Sequence, residues 1–251
     1  MNSNLPNAEP EIYDTQEELE IKIKTLVNLI KNSKHFVAFT GAGISTGAGI
    51  PDFYGKDGVR VKNENRDSTP KDHRSVMNKA FPTDCHMSLL KLLETGHLKF
   101  IISQNTDGLH RKSGVLQNQI AELHGNNNLE SCEECGKSYF RDFPARKQNA
   151  KNAHDHMTGR KCDDLNCQGD LYDSIINFGE NLPEKQLQNA YIHSKKSDLM
   201  LCLGSSLRVS PANTMPLYTK NKGSVVIVNL QKTEKDYINK QSFIYKFLIK
   251  F

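Results

Sequence analysis

Two hydrophobic patterns alternate along the chain. From residue 15, Leu19, Ile23, Leu26, Val27 and Ile30 recur with helical spacing, and Thr15 stands three residues before Glu18 as in a capping box, so a helix is predicted from Thr15 to about Asn32-Ser33. Residues 83–96 predict another, with Leu89, Leu90, Leu92 and Leu93 inside and Gly96 as the stop. The second pattern is a short apolar run without alternation: residues 36–40 (FVAFT), 100–103 (FIIS), 199–203 (LMLCL) and 225–228 (VVIV). Such runs, separated by helical or polar stretches, predict strands of a parallel sheet covered on both faces.

Small or polar residues leave each predicted strand: Thr40-Gly41, Gln104-Asn105-Thr106-Asp107, Gly204-Ser205-Ser206 and Asn229-Leu230-Gln231. In an open doubly wound α/β sheet, ligands bind beyond the carboxyl ends of the strands, so these exits outline a binding crevice. Residues 36–40 stop abruptly in the glycine-rich residues 41–49, and the two together read as strand, tight turn, then helix. The polar, broken stretch 51–82 is too long for an ordinary connection and is expected to form a mobile lid with some short helix. Residues 126–170 contain no aliphatic run and cannot build a core of their own. The expected organisation is a tail and helix over 1–34, a nucleotide-binding domain made of 35–125 and 171–251, and an insert over 126–170.

Composition changes this picture little. Of 251 residues, 37% are hydrophobic and 25% charged, a globular balance. The 33 Lys and Arg exceed the 29 Asp and Glu by only four, too few to argue for nucleic-acid binding, while a pI near 8.6 leaves weak attraction to acidic partners open. No run of 18 apolar residues is present and the N-terminus lacks a signal pattern, so an intracellular protein with no membrane association is expected.

Cysteine says more. Four of the six fall in two pairs, Cys132-x2-Cys135 and Cys162-x4-Cys167, while Cys85 and Cys202 sit in apolar settings. In a reducing compartment this spacing means metal before disulfide, and a coreless insert gives a closed structural zinc site a physical task. The x4 knuckle and long spacer depart from the usual ribbon, so His154 and His156 remain alternative ligands.

Gly41-x-Gly43 between strand and helix fits a phosphate cradle, because glycines let backbone approach a pyrophosphate at a helix N-terminus; a purely structural glycine turn is the alternative. Among nine histidines, His124 is the best candidate base, lying just before the insert where a junction cleft would form; a packed junction histidine is the competing reading. Asn105 and Asp107 could orient a ribose or water and accept an amide N–H, or simply form an Asx turn. His86, His97 and His110 read as packing or surface residues.

Together, FTGAGISTGAGIPDF at 39–53, SQNTDGLHRKSG at 103–114, AELHGN at 121–126, the paired cysteines, CLGSSLRVSP at 202–211 and IVNLQKT at 227–233 resemble the sirtuin (Sir2) family. With NFGENLP at 177–183 they are most similar to its class IV branch, the sirtuin-six and sirtuin-seven type. The resemblance covers nearly the whole chain from about residue 15. It implies a Rossmann-like NAD-binding domain with a smaller zinc-ribbon insert, NAD+ as co-substrate, and one structural Zn2+ on Cys132, Cys135, Cys162 and Cys167. The implied activity is removal of acyl groups from protein lysines, histones among them, in a nuclear setting. In that chemistry the acyl oxygen attacks the anomeric carbon of the nicotinamide ribose, nicotinamide leaves, and a histidine deprotonates a ribose hydroxyl so that the acyl group passes to ADP-ribose.

Position by position, the resemblance makes His124 the general base and has Asn105 orient ribose and water. Asp107 would hold the nicotinamide carboxamide and Phe53 would cover its pocket. Ala42, Gly43, Ser45 and Thr46 would line the phosphates and adjacent ribose, with Gln104, Gly204, Ser205, Ser206, Asn229 and Gln231 on ribose and adenine. Asp52, Tyr54 and Arg60 fall among the cofactor-binding positions of the loop, and backbone at Asn177, Phe178 and Gly179 would flank the acyl-lysine. Three departures stand out. Tyr54 replaces an arginine whose bidentate, permanently charged grip an aromatic cannot supply. Arg60 replaces a tryptophan. The chain reaches Phe251 soon after the NLQ strand, so part of the core covering is expected to be missing. The competing functions are mono-ADP-ribosyl transfer from the same cofactor and a protein-binding module weakened by Tyr54. A zinc dehydrogenase fits poorly, because all four paired cysteines are committed to the structural site.

Overall fold

The computed structural model describes residues 10–53, 58, 76–77, 79–147, 152, 154–220, 223–236 and 243–247. Tyr54, Arg60 and most of the 51–82 stretch lie outside the described residues.

The first helix, α1 (Gln16–Asn32), opens with the capping box read from the sequence: the Thr15 hydroxyl accepts from the Glu18 N–H and the Glu18 carboxylate from the Thr15 N–H. Its partly buried stripe is rotated from the expected one. Leu19, Leu26, Leu29 and Ile30, partly buried, pack on the core, whereas Ile23 and Val27 are exposed. Strand β1 (Phe36–Thr40) follows, and the expected helix after the turn is of the 3-10 type, Ala42–Ala48. Glycine, serine and threonine favour the helical state poorly, and the Thr46 hydroxyl returns to the Gly43 carbonyl. Helix α2 (Asp84–Glu94) ends with Gly96 at φ +73°, as a glycine stop should.

Beyond it the chain forms β2 (Leu98–Ser103), the single-turn α3 (Leu109–Lys112) and β3 (Ile120–Glu122). The insert then supplies β4 (Leu129–Cys132), β5 (Ser138–Phe140), β6 (Met157–Lys161) and β7 (Asp170–Asp173). Helix α4 (Glu184–Lys196), β8 (Leu199–Leu203), a 3-10 helix (Ala212–Tyr218), β9 (Ser224–Val228) and β10 (Phe243–Phe247) follow, and a further short 3-10 helix (Gln117–Gln119) precedes β3.

Six strands make one parallel sheet, ordered β10-β9-β8-β1-β2-β3. The order reverses between β1 and β8, which places a switch point where Thr40 pairs with Ser103 on one side and Leu203 on the other. Alternate residues of each strand serve opposite cores. Phe36, Ala38, Ile101 and Leu201 pack with Leu89 and Leu93 of α2, while Val37, Phe39, Ile102 and Met200 pack with Ala190 of α4 and Met215. Burial on both faces is why these strands read as unbroken apolar runs.

The insert is a separate antiparallel sheet, ordered β5-β4-β7-β6. Its apolar centre is small: Leu171 and Tyr139 among the cysteines. Beside it the buried Glu130 carboxylate accepts hydrogen bonds from both Arg141 and Arg160. Among the described residues no helix is long and apolar enough to cross a membrane.

Candidate active site

The strand exits of β1, β2, β8 and β9 surround a cavity of about 430 Å³. On its β1 and β8 side the backbones of Gly43 and Gly204 almost touch: the Gly43 N–H donates to the Gly204 carbonyl at 2.8 Å, and a Cβ on Gly43 would lie 2.7 Å from the Gly204 Cα. Gly204 itself has φ +59°, and Leu207 follows at φ +53° with its side chain fully buried, so core packing offsets a left-handed backbone costing about 1–2 kcal/mol. Ala42, Gly43, Gly204, Ser205 and Ser206 thus form an open rim that only glycine at the crossing permits.

After β2, Asn105 and Asp107 are both buried and both line the cavity. The Asp107 carboxylate accepts from the Ser45 hydroxyl at 2.7 Å and from the Leu109 N–H at 2.9 Å, which fixes it at the start of α3. The Asn105 amide donates to Ser45 at 3.3 Å, while its Oδ1, though buried, has no partner. A buried acceptor left open at a cavity wall fits a ligand hydroxyl or water. Ser45 and Thr46 do not line the cavity. Ser45 stands behind the wall holding Asp107 and Asn105, and Thr46 bonds to the cradle backbone.

His124 faces this group from the turn after β3. Its Nδ1–H donates to the Gln104 carbonyl at 3.1 Å, which leaves Nε2 as the basic nitrogen of the neutral ring. Burial holds the imidazole below its usual value, against the opposing pull of the Gln104 carbonyl, so the neutral base prevails near pH 7. Gln104 in turn accepts from the Ser205 hydroxyl at 2.7 Å, tying the β2 exit to the β8 exit. Asn229 and Gln231 line the β9 end, linked by a hydrogen bond from the Asn229 amide to the Gln231 carbonyl.

The opposite wall comes from the segment after β7. The Ile176 N–H donates to the His124 carbonyl at 3.1 Å, and Asn177, Phe178, Gly179 and Glu180 continue along the cavity, with Phe178 67% exposed at the mouth. Asp52 and the half-exposed Phe53 line the other side. Sequence reasoning does not find Ile176, Glu180, Leu182, Val209 or Pro211, which also line the cavity. An apolar residue in a loop carries no period, and Glu180 is visible only as one charge in NFGENLP.

In the insert, the four paired cysteines bring their sulfurs within 4.8 Å of one another, with Cys132 to Cys167 and Cys135 to Cys162 both at 3.6 Å. A tetrahedral zinc thiolate with Zn–S near 2.3 Å sets its sulfurs about 3.8 Å apart, so the donor set fits a closed structural zinc. His154 and His156 are not in this cluster; they bond to Glu180 and, for His156, Asp173.

A doubly wound parallel sheet with a glycine rim at its switch point, a histidine facing that rim and a four-cysteine insert defines a nucleotide-binding α/β protein with a structural metal lobe. A model of the Sir2 family matches residues 62–211. The NAD-dependent protein deacetylase SRT1 of Arabidopsis thaliana is 44% identical over 227 residues, covering 90% of this chain and 47% of that protein. The NAD-dependent protein deacetylase Sirt6 of Drosophila melanogaster is 38% identical over 234 residues, covering 90% and 72%. The solved structure of Sir2Tm bound to a propionylated peptide superposes with a TM-score of 0.66 at 35% identity, over 91% of this chain and 93% of that one. The chain belongs to the Sir2 family. It spans about half the length of the plant relatives it matches.

Proposed function

We propose that this chain is an NAD-dependent protein-lysine deacylase of the class IV branch, yielding nicotinamide and O-acyl-ADP-ribose. The observation that carries the reading is His124, a histidine kept neutral by burial, its tautomer set by the Gln104 carbonyl, in the same cavity as the glycine rim and the open Asn105 acceptor. When bound, NAD supplies an anomeric carbon with nicotinamide as its leaving group. His124 Nε2 accepts the proton of a ribose hydroxyl, and Asn105 Oδ1 receives a hydroxyl or water hydrogen bond that orients it. Asp107, held by Ser45 and Leu109, accepts from the carboxamide. Ala42, Gly43, Gly204, Ser205 and Ser206 take the phosphates and adjacent ribose, with Gln104, Asn229 and Gln231 toward the adenosine end. Thr46 supports the rim, while Phe53, beside Asp52 on the cavity wall, covers the nicotinamide side and excludes water, and Tyr54 and Arg60 count among the cofactor-binding positions on the family resemblance alone. Backbone of Asn177, Phe178 and Gly179 pairs with the substrate peptide as an added strand. Histone lysines and a nuclear setting follow from the class IV reading.

The experiment is mass spectrometry of an acyl-lysine peptide panel incubated with the protein and NAD, following nicotinamide, acyl-ADP-ribose and peptide mass together. Deacylated peptide with matching O-acyl-ADP-ribose is expected. Nicotinamide release with a heavier, ADP-ribosylated protein would replace this reading with mono-ADP-ribosyl transfer. No NAD consumption with any acyl group would leave a peptide-binding module, and turnover restored by Tyr54→Arg would identify the cause.

A further inference from the structure

One network of titratable groups lies outside the proposed catalytic group yet ends on the cavity wall. The imidazole of His156, just before β6, lies between two carboxylates: Nδ1 is 3.2 Å from Asp173 Oδ1 of β7, and Nε2 is 3.0 Å from Glu180 Oε1. A carboxylate only accepts, so both contacts are satisfied at once only by the doubly protonated ring. Glu180 also accepts from the Asn177 N–H at 2.6 Å and lies 2.5 Å from His154 Nδ1. Asp173 Oδ1 also accepts the Ile175 N–H at 2.9 Å. Asn177 Oδ1 accepts from Arg146, whose Nε lies 3.9 Å from Asp173 Oδ2. His156 therefore joins the two ends of the segment that forms the cavity wall, and secures it to the insert.

We propose that His156 is a positioning residue for the acyl-lysine peptide: its ring, bridging Asp173 and Glu180, fixes the Asn177–Glu180 wall against the zinc insert so that peptide backbone finds its partners in place. The assignment rests on the deacylase reading and names a residue that acts on substrate binding through Glu180, without touching the reacting atoms. The charged and titratable groups facing the ring are Asp173 from β7 and Glu180 from the wall, with His154 beside Glu180 and Arg146 beside Asp173. The two carboxylates keep His156 protonated above the usual imidazole range despite its partial burial, so the bridge is present at low pH and is lost as pH rises through the folded-state value.

The test compares the parent chain with His156→Ala and His156→Gln at matched zinc content. With an acetyl-lysine peptide, both variants are expected to raise the peptide KM about tenfold, the worth of a lost charge-assisted hydrogen bond, while kcat and the NAD KM stay within about twofold. Parent peptide KM should rise as pH climbs through the raised His156 value, above the usual imidazole 6.5, and this rise should flatten in the variants. Amide hydrogen exchange provides a readout independent of turnover: protection at Asn177 and its neighbours should fall about tenfold in both variants. Unchanged exchange at Asn177 would overturn the proposal, as would kcat and both KM values shifting together. An inactive parent whose Asn177 exchange still depends on His156 would refute the deacylase reading while retaining the clamp.

Discussion

Gly43→Ala adds one methyl group where β1 and β8 deliver their backbones to the same point. The new carbon would lie 2.7 Å from the Gly204 Cα and 2.9 Å from its carbonyl oxygen, against an ordinary carbon–carbon contact of about 3.5–4.0 Å. Roughly 1 Å must therefore be found. Gly204 cannot yield it freely, because its carbonyl accepts from Gly43 and its N–H donates to Val228 at 2.9 Å, anchoring it to β9 as well. Overpacking of this kind costs about 1–3 kcal/mol, and each kcal/mol lowers Tm by about 2–4 °C in a chain of this size. Spreading the rim by that distance also misplaces any phosphate bound there, and a 1 Å error in a positioned group costs about a hundredfold in rate. Thermal melts with and without ADP-ribose, alongside kcat/KM for NAD, measure both consequences. A variant melting within about 1 °C of the parent, with kcat/KM within about twofold, would mean that the two glycines do not close the cradle as described.

His124→Ala should reduce turnover about a hundredfold or more with fold and zinc content intact, and activity within about tenfold of the parent would remove His124 from the base role. Because burial lowers its pKa, the acid limb of kcat/KM should fall below the usual imidazole value of 6.5, and the same shift makes the folded state lose stability as pH drops below that value; an acid limb above 6.5 contradicts the described environment. Chelating the metal, or Cys132→Ser, should unfold or aggregate the protein, as followed by circular dichroism and zinc analysis, since Leu171 and Tyr139 alone cannot hold the insert; a chelated protein that stays folded and active refutes the structural site. Glu122, buried beside Asn126 and Arg111, is pushed up to about 7 chiefly by desolvation. The unfolded chain releases this proton near 4.5 and the folded one near 7, so stability falls across that window. Glu122→Gln should flatten the decline in denaturant titrations between pH 5 and 7.5, and an unchanged slope would assign it to other groups.

Part of the molecule was legible because its signals are local. The Thr15 and Glu18 cap, the glycine after α2 and the four long apolar strands depend on residues within a few positions of one another, and each is found where the pattern predicts it. Strand β3 was not legible: three residues, Ile120-Ala121-Glu122, are too few to display a period, and pairing with β2 makes them a strand. Strand β10 likewise takes its place from the parallel register with β9. In the insert, Leu-Glu-Ser-Cys and Asp-Leu-Tyr-Asp carry one aliphatic residue each, so its sheet is built by clustered sulfurs and by Glu130 between two arginines rather than by a hydrophobic run. His154 and His156 show the same limit. Their spacing in the chain admits a ligand role, and only the fold supplies the carboxylates that take them, Asp173 at the end of β7 and Glu180 in the segment that follows it.

By itself the sequence determined the helices and strands with strong local patterns, the polar exits that mark the crevice, the metal-binding cysteines and the membership of a family whose motifs span the chain. Tertiary structure alone decided which face of α1 is buried, that Gly204 closes on Gly43, that Ser45 stands behind Asp107, and that His124 is neutral with a fixed tautomer. The physical reason is range. Capping and strand propensity act over a turn or a pleat, whereas desolvation, close backbone approach and hydrogen-bond partnership depend on segments far apart in the chain, brought together by the order of strands in the sheet.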